Sequence, residues 1–261
     1  MNRMEVLVAA CALWLWSANS AAHSDLLAFP QPLLRLLQPS TVVVLGEKHR
    51  QPESPQFVTR LAEAYLHQGG CLAVALEITS DQQPTLERVL AGELPVGSIQ
   101  VFQGIDHPPY RIMIERLANL MQAGHCLTVH AIDEPTNEKG SRDAWMARAV
   151  EGLLTEQRAV LALIGNLHAV KTVHWEPTVL KPKRFLAEHL VDAGLVVVSV
   201  MQSWPEAASS TPLRATLVPA GAPAGITAVS RITGILAAYP PKTPEDVTDW
   251  VITWTTEAGF R

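Results

Sequence analysis

From residue 41 onward, short apolar runs rich in β-branched residues alternate with stretches whose apolar residues recur every three or four positions. The runs are TVVVL (41–45), LAVALE (72–77), LTVHAI (127–132), AVLALIG (159–165) and LVVVSVM (195–201). Each reads as a strand covered on both faces, because its apolar residues are continuous and do not alternate with polar ones. The stretches between them carry helix punctuation. Ser54 and Pro55 open FVTRLAEAYL, which Gly69 and Gly70 close. Pro108 and Pro109 open YRIMIERLANLMQ, closed by Gly124; Ser141 opens RDAWMARAVEGLL; Pro182 opens KRFLAEHLVDA, closed by Gly194. Alternating strand and helix predicts an α/β fold, a mostly parallel central sheet with helices on both faces. The pattern changes between about 202 and 240, where SWPEAASSTP and PAGAPAG read as loops. ATLV and the segment around Ile226 are expected as antiparallel edge strands near the C-terminus. TPED offers a helix start, but DWVITW alternates better as a strand, and the strand is the expectation.

The polar residues fall at the ends of these runs. The first run leads into Gly46, Glu47 and His49; the second ends at Glu77; the third ends at Asp133 and Glu134; the fourth runs into Gly165, Asn166 and His168. In a parallel sheet all C-terminal strand ends lie on one edge, and ligands bind in the crevice there. Two histidines and up to four acids are thus expected on one rim. A histidine beside a carboxylate acts as a general base, with the acid fixing its tautomer. Two histidines and a carboxylate can instead hold a divalent metal with a position open for water, which makes His49, Glu77 and His168 the candidate ligands. Asn166 is the candidate donor to a developing oxyanion, and Gly46 and Gly165 are expected to allow sharp turns. The catalytic set is therefore Glu47, His49, Glu77, Asn166 and His168. No G-x-S-x-G elbow and no cysteine falls on this rim, so water attack is expected over a covalent intermediate. Taken singly, Glu47 and Glu77 fit helix caps or partners for Lys48 or Arg50, and either histidine fits a bonded turn residue. The convergence distinguishes them. His130, inside a strand, reads as a satisfied core or supporting residue. His67, His107, His125, His174 and His189 read as loop, helix or surface positions, and Trp145 reads as core.

Composition narrows the partners. The 261 residues are 48% hydrophobic, enough for a sizeable core in one domain, and the net charge is −5. That balance argues against nucleic acid or an anionic membrane surface. The first 22 residues show Arg3, then VLVAACALWLW, then SANSAA, the three-part pattern of a secretory signal peptide with cleavage expected before His23. The apolar run is short for a bilayer span. VAAC (8–11) looks like a lipoprotein cleavage box, but the apolar ALWLW after it is wrong for a mature lipoprotein start. The expected organisation is a signal peptide (1–22) and one domain (23–261). Cys71 and Cys126 remain, each opening a strand. If those strands are neighbours, an oxidising compartment permits a disulfide; two buried free thiols are the alternative.

VVVLGEKHRQPESPQ, LAVALEITSDQQPTLERVLAGE, HPPYRIMIERL, DAWMARAV and ALIGNLHAVK, in that order, resemble the ChaN-like haem-binding uptake family, within the wider group of Tiki proteases and erythromycin esterases. The resemblance covers about residues 38 to 200, and it is the ordered set of GExH, ALE with DQQP, and GNxH that makes it specific. It implies an exported α/β protein that binds haem for iron uptake. Haem in that family is held through a tyrosine at a subunit contact, which implies a homodimer and makes Tyr110, at the helix start, and Tyr65 the candidate haem ligands. The Tiki branch implies a metal-dependent hydrolase, and the esterase branch a similar His and Glu set without an obligatory metal; Glu47, His49, Glu77 and His168 match the shared positions. The family is often lipid-anchored, whereas this chain lacks a convincing lipobox, so a soluble periplasmic or secreted protein is expected. Exported haem binding is the first functional expectation, and a hydrolase acting on a small-molecule substrate is the alternative.

Overall fold

A computed structural model describes residues 31–136, 140–180, 182–206, 213–236, 238 and 243–256. The expected signal peptide, its cleavage point and Tyr239 lie outside them. The chain runs α1 (Gln31–Leu34), β1 (Thr41–Glu47), α2 (Glu53–His67), β2 (Cys71–Thr79), α3 (Gln83–Leu90), α4 (Pro108–Gln122), β3 (Leu127–Asp133), α5 (Arg142–Glu151), β4 (Arg158–Gly165), α6 (Leu186–Asp192), β5 (Val196–Ser203), β6 (Leu213–Pro219), α7 (Pro223–Thr233), α8 (Pro244–Val247) and β7 (Trp250–Thr256). Short 3-10 turns sit at Ser80–Gln82, Val96–Ser98 and Asn166–Ala169.

The strands form one sheet in the order β3-β2-β4-β1-β5-β7-β6. All neighbours are parallel except the antiparallel edge pair β6–β7. The expected α/β class and all five expected core strands are present. β1 is buried at all seven positions, which only a strand covered on both faces requires. One core, with Phe57, Leu61, Ile114 and Leu117, lies under α2 and α4; the other, with Met146, Val150, Leu186 and Val229, lies under α5, α6 and α7. No described helix is long and apolar enough to cross a membrane.

Several local expectations need correction. The segment around Ile226 is helix α7, not an edge strand: Pro223 stands in its first turn, and Gly225, Ala228 and Val229 line one buried side. Ser54 does not precede α2; it lies inside the first turn, fully buried, and donates to Gln202 Oε1 (3.3 Å). α6 begins at Leu186, beyond Pro182. Ser141 does cap α5, its side chain accepting from the Ala144 N–H. Trp145 is half-buried beneath the Arg148 guanidinium rather than in the core. His130 is half-buried and its Nε2 has no hydrogen-bond partner, so it is not satisfied. Burial first, and Arg158 second, push its pKa down.

Cys71, at the start of β2, and Cys126, just before β3, are joined in a disulfide that closes a separation of 55 residues. It sits at the N-terminal end of the sheet, opposite the rim.

Candidate functional site

The parallel register carries Glu47 opposite Gly165 at the ends of β1 and β4. Glu77 lies in the buried stretch of β2, two residues before the strand ends, and Asp133 closes β3 beyond it. His49 follows β1, and His168 sits in the 3-10 turn that continues β4. The four residues that the strand-end reasoning singled out, Glu47, His49, Glu77 and His168, are brought together.

Each histidine is held by a carboxylate. Glu47 Oε1 lies 3.1 Å from His49 Nδ1, and Asp143 Oδ1 lies 2.5 Å from His168 Nδ1. Each Nδ1–H donating to its acid leaves Nε2 as the lone-pair nitrogen. The two rings meet over Gly165: a methyl group placed there would lie 3.3 Å from His49 Nε2 and 3.5 Å from His168 Cδ2. A side chain at 165 would require the His49 ring to give by a few tenths of an ångström. Gly46 lies within β1, where a Cβ would come 2.7 Å from Asn166 Oδ1. Neither glycine has positive φ, so the expected sharp-turn role is replaced by close packing. The residue in the left-handed region is Arg50 (φ 64°), one step beyond His49. For a residue with a long side chain that is a costly conformation, of the kind concentrated at functional turns.

Arg142 is the centre of the remaining polar network, and sequence reasoning passed over it as one more helix residue. Its Nε and Nη2 donate to the two oxygens of Asp133 (2.6 and 2.7 Å), and Nη2 also donates to Glu77 Oε1 (2.5 Å). Its Nη1 lies 3.3 Å from His168 Nε2. Glu77 Oε2 accepts from the Gly165 backbone N–H (2.7 Å). Asp143, equally unanticipated, also accepts from the Leu186 N–H (2.9 Å) and so ties α5 to α6. Both come from the first turn of α5, directly after the Ser141 cap; an Arg-Asp pair entering a helix next to a strand-end rim was the available signal.

The expected metal set is not supported. Among the described residues no group of three His, Cys, Asp or Glu side chains is arranged to hold a metal ion. The physical reason is Arg142: its guanidinium stands between Glu77 and His168, and a divalent cation there would have to displace it. Asn166 also has a different job. Its Nδ2 donates to the Gln202 carbonyl (2.8 Å) and its Oδ1 accepts the Gln202 N–H (2.9 Å), clipping the β4 turn to the end of β5. It is not presented as an oxyanion donor.

The site's electrostatics follow from burial. Glu47 is 3% exposed. Burial raises its carboxyl above the usual range, while the hydrogen bond and charge of His49 and the charge of His107 oppose the rise and Glu77 adds to it. The Glu47 hydrogen bond is the largest cause raising the His49 pKa; burial and Arg142 act against it, and the charges of Glu77 and Glu47 add to it. The Arg142 guanidinium is held firmly charged, chiefly by Asp133.

Beneath the rim stand two residues from the start of α4. His107, expected at a loop, helix or surface position, is the residue just before α4 and is buried, its Nδ1–H donating to the Ile105 carbonyl (2.7 Å). Tyr110 is 1% exposed, and burial pushes its phenol well above its ordinary value. Its hydroxyl is therefore not presented to a surface-bound haem, as the expected ligand role requires. Tyr65, the other candidate, is 8% exposed and lines a depression of about 320 Å³ with Leu34, Arg35 and Gln68, at the far end of α2 from the rim.

No protein-family model and no curated protein sequence matches the chain. Solved structures do. A haem-bound ChaN of Campylobacter jejuni, described by its cofacial haem binding, is 15% identical, with a TM-score of 0.52 over 87% of this chain and 92% of that one. A Bacillus cereus protein is 12% identical, with a TM-score of 0.60 over 85% of this chain and 90% of that one. At such identities the likeness is one of fold. The sheet that brings Glu47, His49, Glu77 and His168 to one rim is thus the ChaN-like fold, as the ordered motifs anticipated.

Proposed function

We propose that the strand-end pocket is an acid–base centre that hydrolyses a small substrate by activating water, in an exported protein. The observation that carries this reading is the pair of carboxylate-held histidines, both lying against Gly165. His49 is the base: Glu47 fixes its tautomer, and its side chain is 37% exposed, so Nε2 is within reach of water. Nε2 takes the proton as the water oxygen bonds to the substrate's electrophilic carbon, and the same proton then passes to the leaving group. His168 Nε2 faces Arg142, which makes it the less free of the two. The charge of Arg142 favours an anionic intermediate without needing to move. The Cys71–Cys126 disulfide supports export, because such bonds persist in oxidising compartments. The test is a screen of chromogenic esters and peptides with wild type and His49→Ala: hydrolysis lost in the variant is expected, and equal rates in both proteins would refute the assignment.

A second reading, haem binding by a homodimer in iron uptake, is favoured by the fold shared with the Campylobacter jejuni ChaN. Tyr110 does not fit an iron ligand at the surface. Tyr65 fits better, since Arg35 beside it suits a haem propionate, although burial raises the phenol and so opposes the phenolate that ferric iron prefers. Haem titration should give a Soret band that Tyr65→Phe weakens and Tyr110→Phe leaves in place. No spectral change at micromolar haem would exclude this reading.

A further inference from the structure

Beside β3, the edge strand of the sheet, α3 and the end of α4 enclose a cavity of about 480 Å³. It lies against residues 128–130 of the strand, away from the rim. Two amide side chains frame it. Gln83, the first residue of α3, takes the place of a further strand: its Oε1 accepts the Ala131 N–H (2.7 Å) and its Nε2 donates to the Val129 carbonyl (3.4 Å). Gln122, the last residue of α4, donates to the carbonyl of Leu90 (2.9 Å), the last residue of α3. α3 is thus tied at both ends by hydrogen bonds, and the cavity lies between the ties. Interiors otherwise pack closely, and this volume falls in the range of small-molecule sites, about 300–1,000 Å³.

The lining identifies the chemistry. Leu90, Met121 and Val129 give it apolar walls. Both amides are spent on the bonds above, and Gln83 Nε2 also donates to Glu87 Oε1 (3.0 Å). Among the described residues, Glu87 is the one charged group that lines the cavity, and Gln83 is the one side chain that bonds it. Glu87 is exposed, so its charge stands at the mouth. His130, on the wall formed by β3, is neutral: burial first and Arg158 second push its pKa down, while the charge of Glu87 acts the other way. Arg158 itself is outside the cavity, at the start of β4 with β2 between. Apolar walls with one carboxylate and no cation of their own suit a ligand that carries a positive charge on an apolar body.

We propose that this cavity binds an amphiphilic amine, its protonated amino group held at Glu87 and its apolar group among Leu90, Met121 and Val129. The site is separate from the acid–base rim and does not depend on hydrolysis there. Glu87 repels a carboxylate or a phosphate. An uncharged analogue of the same shape keeps the apolar contact and loses the ion pair.

The test follows the backbone amide NMR signals of Ala91 and Val129, which both line the cavity, as 2-phenylethylamine, 2-phenylethanol or 3-phenylpropanoate is added to the purified protein. The amine should shift both signals saturably and bind about threefold tighter than the alcohol, as an exposed ion pair provides; the carboxylate should bind weakest. Glu87→Gln should bring the amine down to the affinity of the alcohol. Ala91→Trp, at an exposed position on the cavity wall, should fill the space and abolish the Val129 shift with every probe, folding being checked by circular dichroism. No saturable shift with the amine overturns the site, as do shifts that survive Ala91→Trp. Equal wild-type affinity for amine and alcohol, tightest binding by the carboxylate, or an amine affinity unchanged in Glu87→Gln overturns the assignment of the ligand.

Discussion

The two ends of the sheet are built on opposite rules. At the N-terminal end β2 and β3 enter through Cys71 and Cys126, joined covalently, and the Leu72 N–H bonds the Cys126 carbonyl. The strands there start from apolar pairs such as Val42 beside Val160 and Leu72 beside Leu127. At the C-terminal end the same strands finish in Glu47, Glu77 and Asp133, all buried, with Arg142 drawn in among them and Arg50 in a left-handed conformation. One end has its chain fixed by a bond; the other gathers buried acids and two histidines. Stability is concentrated away from the rim, and polar groups that a merely stable protein would do without are concentrated on it, the distribution expected when function and folding make separate demands.

The contrast can be broken from either side. The largest effect on stability should come from Cys71→Ser with Cys126→Ser. Opening a closure of 55 residues should cost about 4 kcal/mol by chain entropy, read as a lower midpoint in denaturant, while any rim activity per folded molecule is unchanged. Arg142→Met should cost less, roughly 2 kcal/mol. It strands the buried Glu77 and Asp133, a loss of the kind that reaches about 3 kcal/mol in full burial, reduced here because the Arg142 side chain is 39% exposed. Unlike the cysteine change, it should also abolish rim activity. The smallest effect is a shift in pH. The base form of His49 is the neutral one, and Glu47 raises the His49 pKa, so activity should fall on the acid side with a midpoint above the ordinary histidine value of about 6.5. Glu47→Gln keeps an acceptor for Nδ1–H but removes the charge, and the acid limb should move to lower pH. A limb that stays put would show that Glu47 does not set the basicity of His49.

Much of this was legible before any coordinates. Continuous apolar runs mark strands buried on both faces, and once five of them are parallel their polar ends must share an edge; Glu47, His49, Glu77 and His168 follow from that alone. Arg142, Asp143 and His107 do not. Arg142 is 65 residues from Glu77, and its role depends on where the first turn of α5 docks, which periodicity does not encode. Asn166 misled in the same way, since its amide chemistry suits an oxyanion and a strand clip equally; only the position of Gln202 decides. The metal trio was read from residue types, which do not reveal the guanidinium placed among them. Around Ile226, the short apolar segment between loops fitted either a strand or a helix, and Pro223 was the cue for the helix.

The most direct measurement is the rate at which the purified protein hydrolyses a panel of chromogenic esters and peptides, compared between wild type and His49→Ala, with the double cysteine variant as control. Loss of a positioned base should slow hydrolysis by about 10²- to 10⁴-fold, with the control retaining its rate. Hydrolysis that is equal in all three proteins would contradict a catalytic rim.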